Sequence, residues 1–74
     1  KIVILTDTTW SGTVDLTGKT VQIAAEAKLT ISKGTTVKGG NSGASINSYG
    51  TIKAEGASDD YVKFENIYMI NLTL

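Results

Sequence analysis

The sequence predicts an all-β chain that winds as a three-coil parallel β-solenoid and contains no substantial helix. A repeat is the first observation: residues 27–34 (AKLTISKG) are echoed by residues 50–56 (GTIKAEG), with 23 residues from Leu29 to Ile52. Repeats with a period of about 20–30 residues bury their apolar faces by stacking on one another. Short runs of alternating apolar and polar residues, separated by turns rich in Gly, Asn and Asp, further indicate strands with one buried face.

The predicted strands fall into three columns of inward-facing residues, one for each side of the solenoid. The first column contains Leu5, Leu29 with Ile31, and Ile52 with Ala54. The second contains Val14 with Leu16, Val37, and Val62 with Phe64. The third contains Val21 with Ile23, Ile46, and Ile70. Successive residues in each column are about 21 to 25 positions apart in the sequence. Such a spacing is what stacked coils require, with their parallel strands ~4.8 Å apart.

Two other interpretations of the pattern compete with the solenoid. Residues 22–31 are rich in helix formers, but Val21, Ile23, Leu29 and Ile31 alternate around a short corner, which favours two strands. A Greek-key or meander domain would explain the alternation of apolar residues. It would not explain the near-constant offset between the columns, so the solenoid is the preferred prediction, with Ile31 inward beside Ala54.

Length and composition predict one domain over residues 1–74 that gains stability by association. A chain of 74 residues buries a thin core, worth about 3–5 kcal/mol net. It has no Cys and no His, which excludes disulfides, thiolate metal sites and the commonest general base. The seven basic residues are all Lys and balance seven acidic ones, so we expect no nucleic-acid partner. No apolar run approaches the ~20 residues of a membrane span.

No catalytic, cofactor-binding or metal-binding residue is predicted from the sequence, and no cofactor is expected. The pair Asp59 and Asp60, with Glu55 nearby, is the best candidate for Ca²⁺, but adjacent carboxylates on a corner are usually solvated. A polysaccharide lyase needs a basic residue that stabilises an enolate, and usually Ca²⁺, and only three lysines are candidates for that residue: Lys38, Lys53 and Lys63. We therefore predict that the protein is not an enzyme.

Aromatic residues offer a weak case for carbohydrate binding. Trp10, Tyr49, Tyr61 and Tyr68 could stack on sugars if they lined one face, but they occupy different positions in the repeat, which favours packing beside turns. Residues 71–73 (NLT) form an N-glycosylation sequon at Asn71, which matters only in a host that glycosylates exported proteins.

Several segments resemble a known class of repeats. They read A-x-L-T-I-x-x-G-T-x-V-x-G at residues 27–39, G-x-I-x-A-x-G at 50–56 and V-x-F-x-N at 62–66, with a similar lead-in at 10–21. These motifs resemble the right-handed parallel β-helix repeats, of pectate-lyase-like type, in secreted and surface proteins of bacteria and archaea. The resemblance implies a right-handed coil and an extracellular or cell-surface location. The enzymes of that class carry Arg clusters, which this chain lacks, so their activity is not implied.

The two ends of the sequence lead to the functional hypothesis. The chain starts at Lys1 without Met, which suggests a mature product or an excised piece, and both ends are apolar, at residues 2–5 and 67–74. With the first strand in the first column and the last in the third, a second copy would continue the coil. We expect a non-enzymatic structural β-solenoid of an exported protein, self-associating head to tail by β-strand pairing, as in an extracellular filament. The alternative is the N-terminal portion of a larger cell-surface β-helix protein, acting as a stalk or carbohydrate-binding module.

Overall fold

A computed structural model describes residues 1–70, which form ten short β-strands and no helix. In chain order the strands β1 to β10 cover Ile2–Ile4, Thr8–Trp10, Thr13–Asp15, Thr20–Ile23, Lys28–Ile31, Thr36–Lys38, Ala44–Ser48, Thr51–Ala54, Lys63–Glu65 and Ile67–Ile70. Each strand is only three to five residues long, because a corner follows after one to three inward-facing residues, and most of these corners contain Gly or Asn.

The strands pair into three parallel sheets. Sheet A has the order β1-β4-β7-β10, sheet B the order β2-β5-β8, and sheet C the order β3-β6-β9. Every pairing between neighbours is parallel. Because successive strands pass from sheet A to B to C and back to A, the chain winds about three times around one axis. The prediction of a parallel β-solenoid is therefore confirmed.

The core is a set of apolar rows that run up the inside of the sheets. In sheet B, Ile31 lies between Trp10 and Ala54 in the strand register, and its side chain is fully buried. In sheet C, Val37 is buried between Val14 and Phe64. These two rows confirm Val14, Val37 and Phe64 of the second column and the position of Ile31 beside Ala54. Leu16 and Val62, also assigned to that column, lie just outside the strands and pack against the core.

One assignment in the first column is wrong. Leu5 lies outside the strands and is 65% exposed, and the first strand of sheet B is β2, with Thr8 facing Leu29 in the register. The preceding strand β1 belongs to sheet A instead, where Ile4 pairs with Ile23. β2 does not show an alternation of apolar and polar residues, because two of its three residues are threonines. The Thr8 hydroxyl is tolerated there because it donates to the Thr6 carbonyl at 2.9 Å.

A second assignment, that of Ile70 to the third column, is also wrong. The inward residue of β10 is Met69, which pairs with Ile46, while Ile70 pairs with Asn47 on the outer side. A shift of one residue moves a side chain to the opposite face of a sheet. Residues 67–70 (IYMI) are apolar or aromatic at both parities, so their pattern alone does not fix the register.

The corners join the coils through backbone hydrogen bonds and one buried hydroxyl, and a second buried hydroxyl is paired within its own corner. Thr35, in the corner between β5 and β6, donates to the Trp10 carbonyl of the previous coil at 3.4 Å. Ser48, at the end of β7, donates to the Gly50 carbonyl at 3.2 Å. Buried polar groups must be paired in this way to avoid the cost of desolvation.

Candidate functional site

The N-terminal edge of the solenoid, formed by β1, β2 and β3, leaves its inner side chains incompletely covered. In sheets B and C the inward residues of this coil are half-buried, whereas their apolar neighbours in the next coil are fully buried. Trp10 beside Ile31 and Val14 beside Val37 are examples. In sheet A the gradient is weaker, because Ile2 is half-buried but Ile4 is buried. Burial decreases towards the end because an end coil has a neighbouring coil on one side only, whereas a middle coil has one on each side.

The C-terminal edge, formed by β8, β9 and β10, shows the same gradient more strongly. Phe64 occupies the inward row of Val37 yet is 39% exposed, and Ile52 and Met69 are half-buried. Within residues 1–70 no strand pairs with the free side of β8, β9 or β10. This edge therefore presents apolar side chains together with free backbone groups, the combination that promotes pairing with another strand.

At the N-terminal edge, the backbone N–H of Val3 in β1 is a hydrogen-bond donor that does not point towards β4. The Ala24 N–H donates to the Ile4 carbonyl at 2.9 Å, so Ile4 directs its backbone groups towards β4. In a parallel ladder successive residues direct their N–H and C=O groups to opposite sides. The N–H and C=O of Val3 consequently point along the solenoid axis, away from β4.

The acidic pair proposed for Ca²⁺ is held in a local turn. Ala57 and Asp60 exchange two backbone hydrogen bonds of 3.0 and 3.1 Å, and the Asp60 carboxylate lies over the Gly34 corner of the coil beneath. Glu55 does not join this pair, since its carboxylate contacts Lys53 at 3.5 Å. Among residues 1–70 no cluster of three or more acidic side chains has the geometry to hold a metal ion.

The three candidate lysines lie on the outer sides of two different sheets. Lys53 is in sheet B, whereas Lys38 and Lys63 are in sheet C. In sheet C the outer row reads Asp15, Lys38, Glu65, with opposite charges as neighbours. Such cross-strand pairs stabilise a sheet modestly. Lys38 therefore lies between two acidic residues of its own sheet. The three candidate lysines do not come together at one site, because Lys53 lies in a different sheet.

Two of the four aromatic candidates share one face, which the repeat positions did not reveal. Trp10 faces the core and Tyr61 precedes β9, but Tyr49 and Tyr68 both lie on the outer side of sheet A. The Asn47 amide donates to the Tyr49 hydroxyl at 3.2 Å, which places the tyrosine on the same side as Asn47. The alternation of Ser45, Asn47 and Tyr49 could have revealed this outward row. Tyr68 could not be assigned because the parity of β10 was ambiguous.

A cleft of about 640 Å³ opens at the corner between sheets C and A. The corner of the last coil is Asn66 alone, in the left-handed region (φ 57°), and its amide donates to the Gly40 carbonyl at 2.7 Å. The walls are formed by the corners of the earlier coils and by side chains of the last one: Gly18, Lys19, Thr20, Ser42, Gly43, Ala44, Ser45, Phe64, Asn66, Ile67 and Tyr68. The cleft adjoins the outer side of sheet A, because Thr20, Ser45 and Tyr68 belong to both.

Asp15 is expected to give the stability of the protein a small dependence on pH. The Thr17 hydroxyl and backbone N–H both donate to its carboxylate, and together with Lys19 and Lys38 they lower the pKa of Asp15 below its usual 3.8. A lowered pKa contributes stability above the usual value, and this contribution is lost as the pH falls through the lowered one. We expect Asp15→Asn to reduce the melting temperature slightly at neutral pH and to have no effect near about pH 2. Thermal unfolding of both proteins across this range tests it, and an equal loss at both pH values would contradict it.

Comparisons of the chain with protein-family models, with curated proteins and with solved structures gave no match. Over residues 1–70 the structure has no helix with the length and hydropathy that a membrane span needs. The parallel β-solenoid of about three turns thus rests on the strand order and register described above. The resemblance to secreted β-helix proteins stays a sequence-based interpretation.

Proposed function

We propose that the protein is a non-enzymatic structural β-solenoid that self-associates end to end, outside the cell or at its surface. One observation supports this proposal: at both ends of the described coils, partly exposed apolar side chains lie beside strand edges whose backbone groups have no partner strand. Strand addition would satisfy both at once, because backbone hydrogen bonds form while the exposed inner rows are covered. The extracellular location is supported only by the resemblance of the repeats to those of exported proteins.

The placement of β1 in sheet A changes the expected geometry of stacking. The strand that would follow β10 along the coil belongs to sheet B, whereas β1 is a sheet A strand. A copy stacked without rotation would pair β1 with β10 but leave a gap of one strand in each of sheets B and C. A copy rotated by about a third of a turn would place β1 on β8, β2 on β9 and β3 on β10. We propose the rotated arrangement, because it leaves no strand edge at the junction unpaired.

Self-association is expected to depend on the backbone N–H of Val3. The variant Val3→Pro removes this donor without breaking a bond to β4, and proline is tolerated on an edge strand. The expected result is that the wild type forms elongated particles in sedimentation velocity and negative-stain microscopy, and that the variant is monomeric. The matched control Val3→Ala keeps the N–H and should still assemble. A folded wild type that stays monomeric at high concentration would contradict the proposal.

The rotation between copies can be read from engineered disulfides, since the natural chain has no cysteine. The double variant Val3→Cys with Lys53→Cys joins outer residues of β1 and β8, which the rotated arrangement brings together. Val3→Cys with Ile70→Cys joins β1 to β10 and is expected only without rotation. Neighbouring parallel strands lie within disulfide reach, which is about 4.4–6.8 Å between Cα atoms. Ladders of covalent oligomers on a non-reducing gel should form with the first pair only.

The alternative is that the chain is part of a larger surface protein, in which further coils cover the same edges. The exposed face of sheet A favours it, because a stalk or carbohydrate-binding module needs a lateral surface and not free ends. This role predicts no assembly of the isolated chain and no effect of Val3→Pro on particle size. Sedimentation of the wild type therefore separates the two roles.

A further inference from the structure

The outer face of sheet A concentrates the exposed apolar and aromatic side chains of the described residues. Its strands present one row of Thr20, Ser45 and Tyr68 and another of Val3, Gln22, Asn47 and Ile70, with Tyr49 directly after β7. Tyr68 is 69% exposed and Tyr49 is 55% exposed. We propose that this face binds an uncharged polysaccharide, with the two tyrosine rings as stacking platforms.

The charge distribution supports an uncharged ligand. The four strands of sheet A contain no Asp, Glu or Lys, whereas sheet C carries Asp15, Lys38, Lys63 and Glu65 and sheet B carries lysines. A face without charge offers no attraction to nucleic acid, anionic polysaccharide or anionic lipid, all of which require cationic groups. It does offer hydroxyl and amide groups between the rings, which suit the many hydroxyls of a neutral sugar chain.

The geometry of the two tyrosines suits an extended ligand. Tyr68 is in register with Ser45, and Tyr49 is four residues further along β7, so their Cα atoms are roughly 13–14 Å apart. The hydroxyl of Tyr49 is oriented by the Asn47 amide at 3.2 Å. A ring held in this way loses less conformational freedom on binding than a free one. The rows of Gln22 with Asn47 and Thr20 with Ser45 lie beside the line that joins the rings.

The size of the face argues against a second protein molecule as its occupant. Four strands of about four residues each give roughly 250 Å² of sheet surface. A stable protein interface buries about 800 Å² on each partner. A sugar chain needs less area, since it binds through a few stacked rings and hydrogen bonds, and the adjoining cleft at Thr20, Ser45 and Tyr68 can accept one end of it.

Three soluble neutral polysaccharides test this inference: hydroxyethyl cellulose, xyloglucan and galactomannan. In affinity electrophoresis we expect at least one of them to retard the wild type. Tyr68→Ala and Tyr49→Ala should each weaken binding about tenfold, because each removes an aromatic stacking surface. The matched control is Tyr61→Ala, since Tyr61 is 62% exposed but lies off this face, and it should bind as the wild type does. Raising the salt concentration should leave binding unchanged.

Four outcomes would overturn the inference. The first is that none of the neutral polysaccharides binds. The second is that Tyr61→Ala weakens binding as much as Tyr68→Ala, which would show that the face is not the site. The third is that polygalacturonate alone binds and salt abolishes it. If Tyr68→Ala instead reduces particle size in sedimentation, the face contacts another copy and the sugar assignment is wrong. Thr9→Pro separates this inference from end-to-end assembly, because Thr9 lies on the N-terminal edge in sheet B, away from the sugar face. The Ser32 N–H donates to the Trp10 carbonyl, so the neighbouring N–H of Thr9 points away from β5, and its loss is expected to stop assembly and leave sugar binding intact.

Discussion

Replacing Ile31 with Asp is expected to abolish folding. Ile31 is fully buried in the middle coil, between Trp10 on one side and Ala54 on the other. A carboxylate at this position would lie in an apolar interior without a partner, at a cost of several kcal/mol. That cost matches or exceeds the ~3–5 kcal/mol that a chain of this length gains from its core. Far-UV circular dichroism should show a disordered spectrum and no cooperative thermal transition.

Ile70 supplies the matched control for this prediction. It is the same residue type in a strand, but it faces outward and is exposed. We expect Ile70→Asp to fold and to change the free energy of unfolding by less than about 1 kcal/mol. The milder pair sharpens the contrast: Ile31→Ala should cost about 2–5 kcal/mol and Ile70→Ala much less. A wild-type melting temperature for Ile31→Asp, or unfolding by Ile70→Asp, would show that the inward and outward rows are misassigned.

The middle of the solenoid could be predicted from the sequence because its inward residues are apolar and its outward residues are polar. Strands β4, β5, β6 and β8 satisfy this condition, as in the burial pattern of Leu29 and Ile31 around Thr30, and β7 departs from it only at the buried Ser48. The terminal strands do not satisfy it. The inward Thr8 is polar in β2, and Tyr68 and Ile70 are outward but not polar in β10. Edge strands are covered on one side only, so an apolar side chain at an inward position there buries less surface and contributes less to stability.

The candidate sugar face could not be predicted, because it depends on corner lengths that the sequence pattern leaves open. The corner between sheets C and A spans residues 39–43 in one coil and only Asn66 in the next. This contraction sets the register of β10 against β7, and the register decides that Tyr68 faces outward beside Ser45. Their positions in the sequence repeat indicated that Tyr49 and Tyr68 lie on different faces. The hydrogen-bonded register of β10 against β7 shows that both tyrosines lie on the outer side of sheet A.

Replacing Gly50 with Ala is expected to destabilise the fold by about 2–3 kcal/mol and to lower the melting temperature by roughly 10–20 °C. Gly50 lies in the two-residue corner between β7 and β8, directly above the corner of the previous coil. A Cβ atom there would overlap the carbonyl oxygens of Ala24 and Ala27. The corner would have to lift, which would strain the hydrogen bond of 3.1 Å from the Thr51 N–H to Ala27.

Gly56→Ala is the control that isolates this overlap. Neither glycine has a positive φ, and both substitutions remove the same freedom from the unfolded chain, so that contribution cancels in the comparison. At Gly56 the nearest atom to an added Cβ is the Val62 nitrogen at 3.3 Å, a contact that a small shift relieves. We expect Gly56→Ala to change stability by less than about 1 kcal/mol. Equal melting temperatures for the two variants would mean that the coils do not approach as closely at Gly50 as the structure indicates, and thermal unfolding under identical conditions decides between these results.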